Sequence, residues 1–135
     1  MTHEQHLEIA IKAAVSAGKL LMDHYEDKLN VSKKESLRDI VTEVDKIAED
    51  RVIEILTDWD HDAFLIAEER GSITSGAPDH CWIIDSLDGI VNYVNQFPFF
   101  CVSIAFVKKG DPVVGVGYNP MSSDLYYGAE GIGVF

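Results

Sequence analysis

The 135-residue chain sets 11 Lys and Arg against 23 Asp and Glu, a formal charge of -12 at pH 7, while 47% of its residues are hydrophobic. This composition reads as one soluble globular domain, large enough to bury about two-thirds of its unfolded surface without a disulfide or structural metal. So negative a chain repels phosphate backbones and anionic membranes, and its Lys33-Lys34 and Lys108-Lys109 pairs are too short to form a basic patch, so no nucleic acid and no membrane partner is expected.

In chain order, residues 4–26 place Leu7, Ile11, Ala14, Val15, Leu21, Met22 and Tyr25 at helical spacing, with Glu4, Glu8, Lys12, Lys19, Asp23 and Glu26 opposite. This predicts an amphipathic helix. The N-terminus has acidic and polar residues where a secretory leader needs a basic stretch followed by an apolar one, which predicts a cytoplasmic protein. No run approaches the ~18 apolar residues of a membrane span.

After a polar segment, a second helix is expected to start near residue 43, because Thr42 and Asp45 have the spacing of a capping box and Val44, Ile47, Ala48, Val52, Ile55 and Leu56 form one stripe. Residues 63–67 form an apolar run that ends in Glu68-Glu69, and Cys81-Trp82-Ile83-Ile84 is another that ends in Asp85. Both read as buried strands finishing in acids. From Phe97 the pattern is an antiparallel meander, with strands at 101–107, 113–118 and 125–127, and with 128–135 turning into a further strand. Helices first and strands later indicate an α+β fold, with two N-terminal helices packed on a largely antiparallel sheet.

Chemistry concentrates in Asp85-Ser86-Leu87-Asp88-Gly89, at the end of an apolar strand. Two carboxylates three residues apart around a Gly-assisted turn can converge, with the Leu87 carbonyl between them, and Glu68 at the end of a neighbouring strand would add a third. At an effective dielectric of about 20, each like-charge pair about 4 Å apart costs about 4 kcal/mol, so cations or protons must relieve the cluster. An all-oxygen set without His or Cys selects Mg²⁺, with Mn²⁺ or Ca²⁺ as substitutes, over zinc. Residues 90–93 can open a short helical turn whose backbone N–H groups would add a phosphate site.

Residues 82–93, Trp-Ile-Ile-Asp-Ser-Leu-Asp-Gly-Ile-Val-Asn-Tyr, resemble the inositol monophosphatase family signature W-I-x-D-P-I/L-D-G-T-x-N-F/Y. Residues 39–45, 64–69 and 128–135 are similar to further motifs of that family, in family order. The resemblance implies an Mg²⁺-dependent, lithium-sensitive phosphomonoesterase acting on a small phosphorylated substrate; a homodimer is expected because the lack of a second domain would bare an apolar face. It implies Glu68, Asp85, the Leu87 carbonyl and Asp88 as metal ligands, with Glu68, Asp85 and Asp88 catalytic and Glu68 orienting the attacking water. Asp45 would serve a more weakly held outer metal, Gly89 and Ile90 would offer N–H groups to the phosphate, and Lys34 falls where the family keeps a basic residue.

Two departures stand out. Ile90 replaces the family's Thr, removing a hydroxyl that positions water, a loss of about 10²-fold in rate by analogy with single electrostatic donors. Ser86 replaces Pro and loosens the turn. Family members are also about twice as long, so the sequence corresponds to the N-terminal metal-binding domain, with the C-terminal domain and its further Asp ligand absent. Impaired turnover is the resulting expectation, and the alternative is a non-catalytic metal- or phosphate-binding remnant acting as an interaction module. Asp111 and Asp124 read as turn-formers, the five His as scattered, and Cys81 and Cys101 as reduced packing residues.

Overall fold

The computed structural model describes residues 2–25, 37–61, 64–67, 71–72, 79–95 and 97–135, with side chains outside the description at 37–42, 71–72 and 94. Two helices, α1 (His3–Tyr25) and α2 (Leu37–Trp59), precede the strands β1 (Phe64–Ala67), β2 (Gly71–Ser72) and β3 (His80–Asp88). A short helix α3 (Ile90–Val94) then leads into β4 (Cys101–Lys108), β5 (Asp111–Asn119), β6 (Asp124–Ala129) and β7 (Gly133–Val134). The strands form one sheet in the order β2-β1-β3-β4-β5-β6-β7. Among the described residues only the β1–β3 pair is parallel. This is the layered α+β arrangement expected from the order of the elements.

Alternation within the strands decides which face is covered. Leu65, Trp82, Phe106 and Val114 lie in one cross-strand row, and Ala67, Ile84, Ile104 and Val116 in the next; all are buried. Burying these two rows against the helices supplies most of the core, at about 25 cal/mol per Å² of apolar surface removed from water. The intervening rows carry Ile83, Ala105, Gly115 and Gly128, then Asp85, Ser103, Gly117 and Tyr126, and face away from the helices.

Helix α1 packs through small residues. Ala10, Ala13, Ala14, Ala17 and Gly18 are buried, and a Cβ at Gly18 would lie 2.6 Å from the Tyr118 ring on β5. Val15, placed on the buried stripe by its spacing, is 40% exposed instead, because the stripe runs along this alanine row. Buried His6 stacks on Phe106 with centroids 4.0 Å apart and also meets Trp59 and Trp82, so one side chain joins α1 to α2, β3 and β4.

Three boundaries differ from expectation. Helix α2 begins at Leu37 rather than near residue 43, because Leu37, Val41, Val44 and Ala48 continue the helical spacing upstream of Thr42. Strand β3 runs on through Asp88, with a register shift between Asp85 and Asp88. Gly71–Ser72, for which the sequence pattern predicts no strand, pairs with β1 as an edge strand.

Candidate metal and phosphate site

The end of β3 is where the polar residues of the motif gather. Strand alternation sends Ile83 and Asp85 to the face opposite the helices, while Trp82, Ile84 and Ser86 point toward them. A bulge of this kind re-aims side chains at a strand end. Here it leaves Asp85 half-buried, the Leu87 side chain buried and Asp88 exposed. The Leu87 N–H donates to Asp85 Oδ1 at 3.3 Å, which fixes that carboxylate against its own turn.

Cys101 on β4 lies beside this strand end. Its thiol donates to Asp88 Oδ2 at 3.9 Å, and its pKa is pushed up to about 11, first by burial and then by the negative charges of Asp88 and Asp85. Sequence reasoning cast this residue as packing alone. Its position directly across from Asp88 in the β3–β4 register is a tertiary fact with no local signature.

Gly89 makes the turn with φ 98°, a left-handed conformation that favours glycine. A Cβ there would stand 3.1 Å from the Phe99 carbonyl oxygen and 3.2 Å from Phe100 Cα, so space and backbone both call for glycine. Helix α3 follows at once; its first bond runs from Tyr93 N–H to the Gly89 carbonyl at 3.0 Å, and helix geometry leaves the preceding N–H groups without intrahelical acceptors. The Tyr93 hydroxyl donates to the Leu21 carbonyl on α1 at 2.9 Å, and the Asn92 side-chain amide donates to the Phe99 carbonyl at 2.8 Å. Ile90, at the head of α3, is 38% exposed. A cavity of about 380 Å³ opens beside Asp88 and Gly89, bounded by Asn92, Phe99, Cys101 and Tyr126.

Asp45 reaches this region from the helix layer. It is buried on α2, one turn from buried Glu49, and the Ser86 hydroxyl donates to its Oδ1 at 2.6 Å. Among the described residues no three His, Cys, Asp or Glu side chains come together as a metal-holding group. Glu68, the third carboxylate expected beside Asp85 and Asp88, lies outside the described residues, as does Lys34. The donors present are compatible with a hard divalent cation: the carboxylates of Asp85 and Asp88 stand at one strand end. Asp111 and Asp124 open β5 and β6 at the hairpin ends.

The family model of the inositol monophosphatase family matches residues 2–135. The chain belongs to that family. It is 38% identical over 134 residues to a fructose-1,6-bisphosphatase/inositol-1-monophosphatase of Aquifex aeolicus, covering 98% of this chain and 50% of that protein. It is 40% identical over 129 residues to Nus factor SuhB of Escherichia coli K12, covering 94% and 48%. The solved inositol monophosphatase of Anabaena superposes with a TM-score of 0.84 at 36% identity, over 98% of this chain and 46% of that one. The chain therefore spans about half the length of the relatives it matches, and membership supports a phosphatase-like function in general terms. Among the described residues no helix is long and apolar enough to cross a membrane.

Proposed function

We propose that this inositol-monophosphatase-family chain carries the N-terminal part of an Mg²⁺-dependent phosphomonoesterase site that hydrolyses a small phosphate ester. The observation that supports this reading best is the juxtaposition, at one bulged strand end, of Asp85, Asp88 and the glycine-led start of α3. Asp85, Asp88 and the Leu87 carbonyl would hold the cation together with Glu68, and Asp45 would serve a weaker outer position. Bound there, the cation supplies charge neutralisation and acidifies a water. Glu68 would orient that water and take its proton, while the Gly89 and Ile90 N–H groups would hold the phosphate oxygens. Ile90 contributes only its main chain, so turnover is slow. The further Asp that the family's second half supplies belongs to the part its relatives have beyond this span. The expected setting is a cytoplasmic homodimer.

Phosphate release from p-nitrophenyl phosphate, with and without Mg²⁺, tests the reading. Activity that needs Mg²⁺ and falls at least about 10²-fold in Asp88→Asn supports it, and identical background release from both proteins overturns it. The relatives named Nus factor, a name that is not an enzyme's, favour a second reading: a metal- or phosphate-binding interaction module without turnover. Calorimetric Mg²⁺ binding without phosphate release selects that one.

A further inference from the structure

Position 86 is one of two places where this chain departs from the signature, with serine in place of proline. Alternation along β3 turns residue 86 toward the helices, on the same face as Trp82 and Ile84, and leaves it 1% exposed. Its hydroxyl lies 2.6 Å from Asp45 Oδ1 and 3.2 Å from the Asp45 main-chain carbonyl oxygen. Both of these atoms accept, and a hydroxyl has one hydrogen to give. At the shorter distance that hydrogen goes to the carboxylate, as a charge-assisted bond in a buried setting where such bonds are strongest.

We propose that Ser86 is a positioning residue: its hydroxyl fixes the Asp45 carboxylate at the junction of α2 with the acidic end of β3, so that Asp45 can serve the outer cation. This rests on the reading of Asp45 given above. Proline has neither hydroxyl nor any other donor at this point, so the tie is particular to a chain with serine here. A partner that orients a metal-binding group in this way commonly sets metal affinity by 10–100-fold when removed.

The test is a calorimetric titration with Mn²⁺ alone on the wild-type protein, Ser86→Ala, Asp45→Asn and the double variant, with melting temperatures measured alongside. The expected result is that Ser86→Ala weakens the lower-affinity Mn²⁺ step by about tenfold and adds nothing further in the Asp45→Asn background. Unchanged Mn²⁺ affinity with a lowered melting temperature would make Ser86 a structural tie only and overturn the proposal. So would equal losses in both backgrounds, since the effect would then bypass Asp45. If the wild-type protein takes up no Mn²⁺, the metal-site reading itself fails and carries the proposal with it, an outcome distinct from the other two. Should Ser86→Ala not fold, Ser86→Cys retains the bulk with a far weaker donor and serves for the same comparison.

Discussion

Gly89 and Cys101 show how single residues hold the acidic strand end in shape. At φ 98° and with main chain 3.1–3.2 Å from where a Cβ would sit, Gly89→Ala is expected to lower stability by about 1–3 kcal/mol, read as a fall in the urea midpoint at unchanged slope. Cys101 gives a chemical measure of the neighbouring charge. With a pKa near 11, only about one thiol in 10⁴ is thiolate at pH 7, so iodoacetamide labelling of Cys101 should be slow and rise about tenfold per pH unit until the pH approaches that value. Asp88→Asn removes the carboxylate whose charge acts more strongly on it and should speed labelling at every pH below that point, as peptide-level mass spectrometry would show. At this scale the sequence was informative where chemistry is local. The D-x-x-D-G spacing and the glycine requirement are visible in it, whereas the thiol facing Asp88 depends on a β3–β4 register that nothing near Cys101 encodes.

At the level of elements, the joints between helices and sheet pass through a few side chains. His6 is one of them, enclosed by Trp59, Trp82 and Phe106, with its Nδ1 2.9 Å from the Thr2 carbonyl oxygen. Burial lowers its pKa below 6.5, outweighing the Thr2 carbonyl and the Asp60 carboxylate, which act in the opposite direction. The folded state thus resists a proton that the unfolded chain accepts. The contribution of His6 is unaffected above the unfolded pKa of 6.5 and turns unfavourable as pH falls below it. Urea unfolding at about pH 7.5 and about pH 5.5 should show a loss of stability on acidification that shrinks in His6→Gln. Periodicity revealed both long helices and the strands of the meander, because each is amphipathic over several turns or pairs. It failed at the start of α2, where the Thr42–Asp45 capping pattern coincides with a stripe that continues upstream, and at β3, where Asp85 and Asp88 looked like the end of a strand. A polar residue facing away from the core is compatible with strand structure, and a bulge that keeps such residues in the ladder leaves no periodic trace.

For the molecule as a whole, charge and connectivity matter most. A net charge of -12 destabilises a compact state through self-repulsion. Raising NaCl from about 0.01 M to about 0.15 M shortens the screening length from about 30 Å to about 8 Å and should raise the melting temperature by a few degrees. An Mg²⁺ solution of matched ionic strength should raise it further if the cation is held at β3. The α+β layering was legible from the order of the elements, but the helix-side location of Ser86 beside Asp45 required the two layers to be assembled. That assembly also orders events during synthesis. Helix α1 meets α2 early in synthesis, yet its sheet partners come late: β4 begins 76 residues after Tyr25 and β5 86 residues after it, and Phe106 lies 100 positions beyond His6. At roughly 5–20 residues per second, the side of α1 that meets the sheet waits about 4–15 s for the first of these strands. During that interval a nascent chain presents it to whatever holdase attends the exit tunnel, and a row of alanines, less greasy than leucine or phenylalanine, suits a helix that must wait in water.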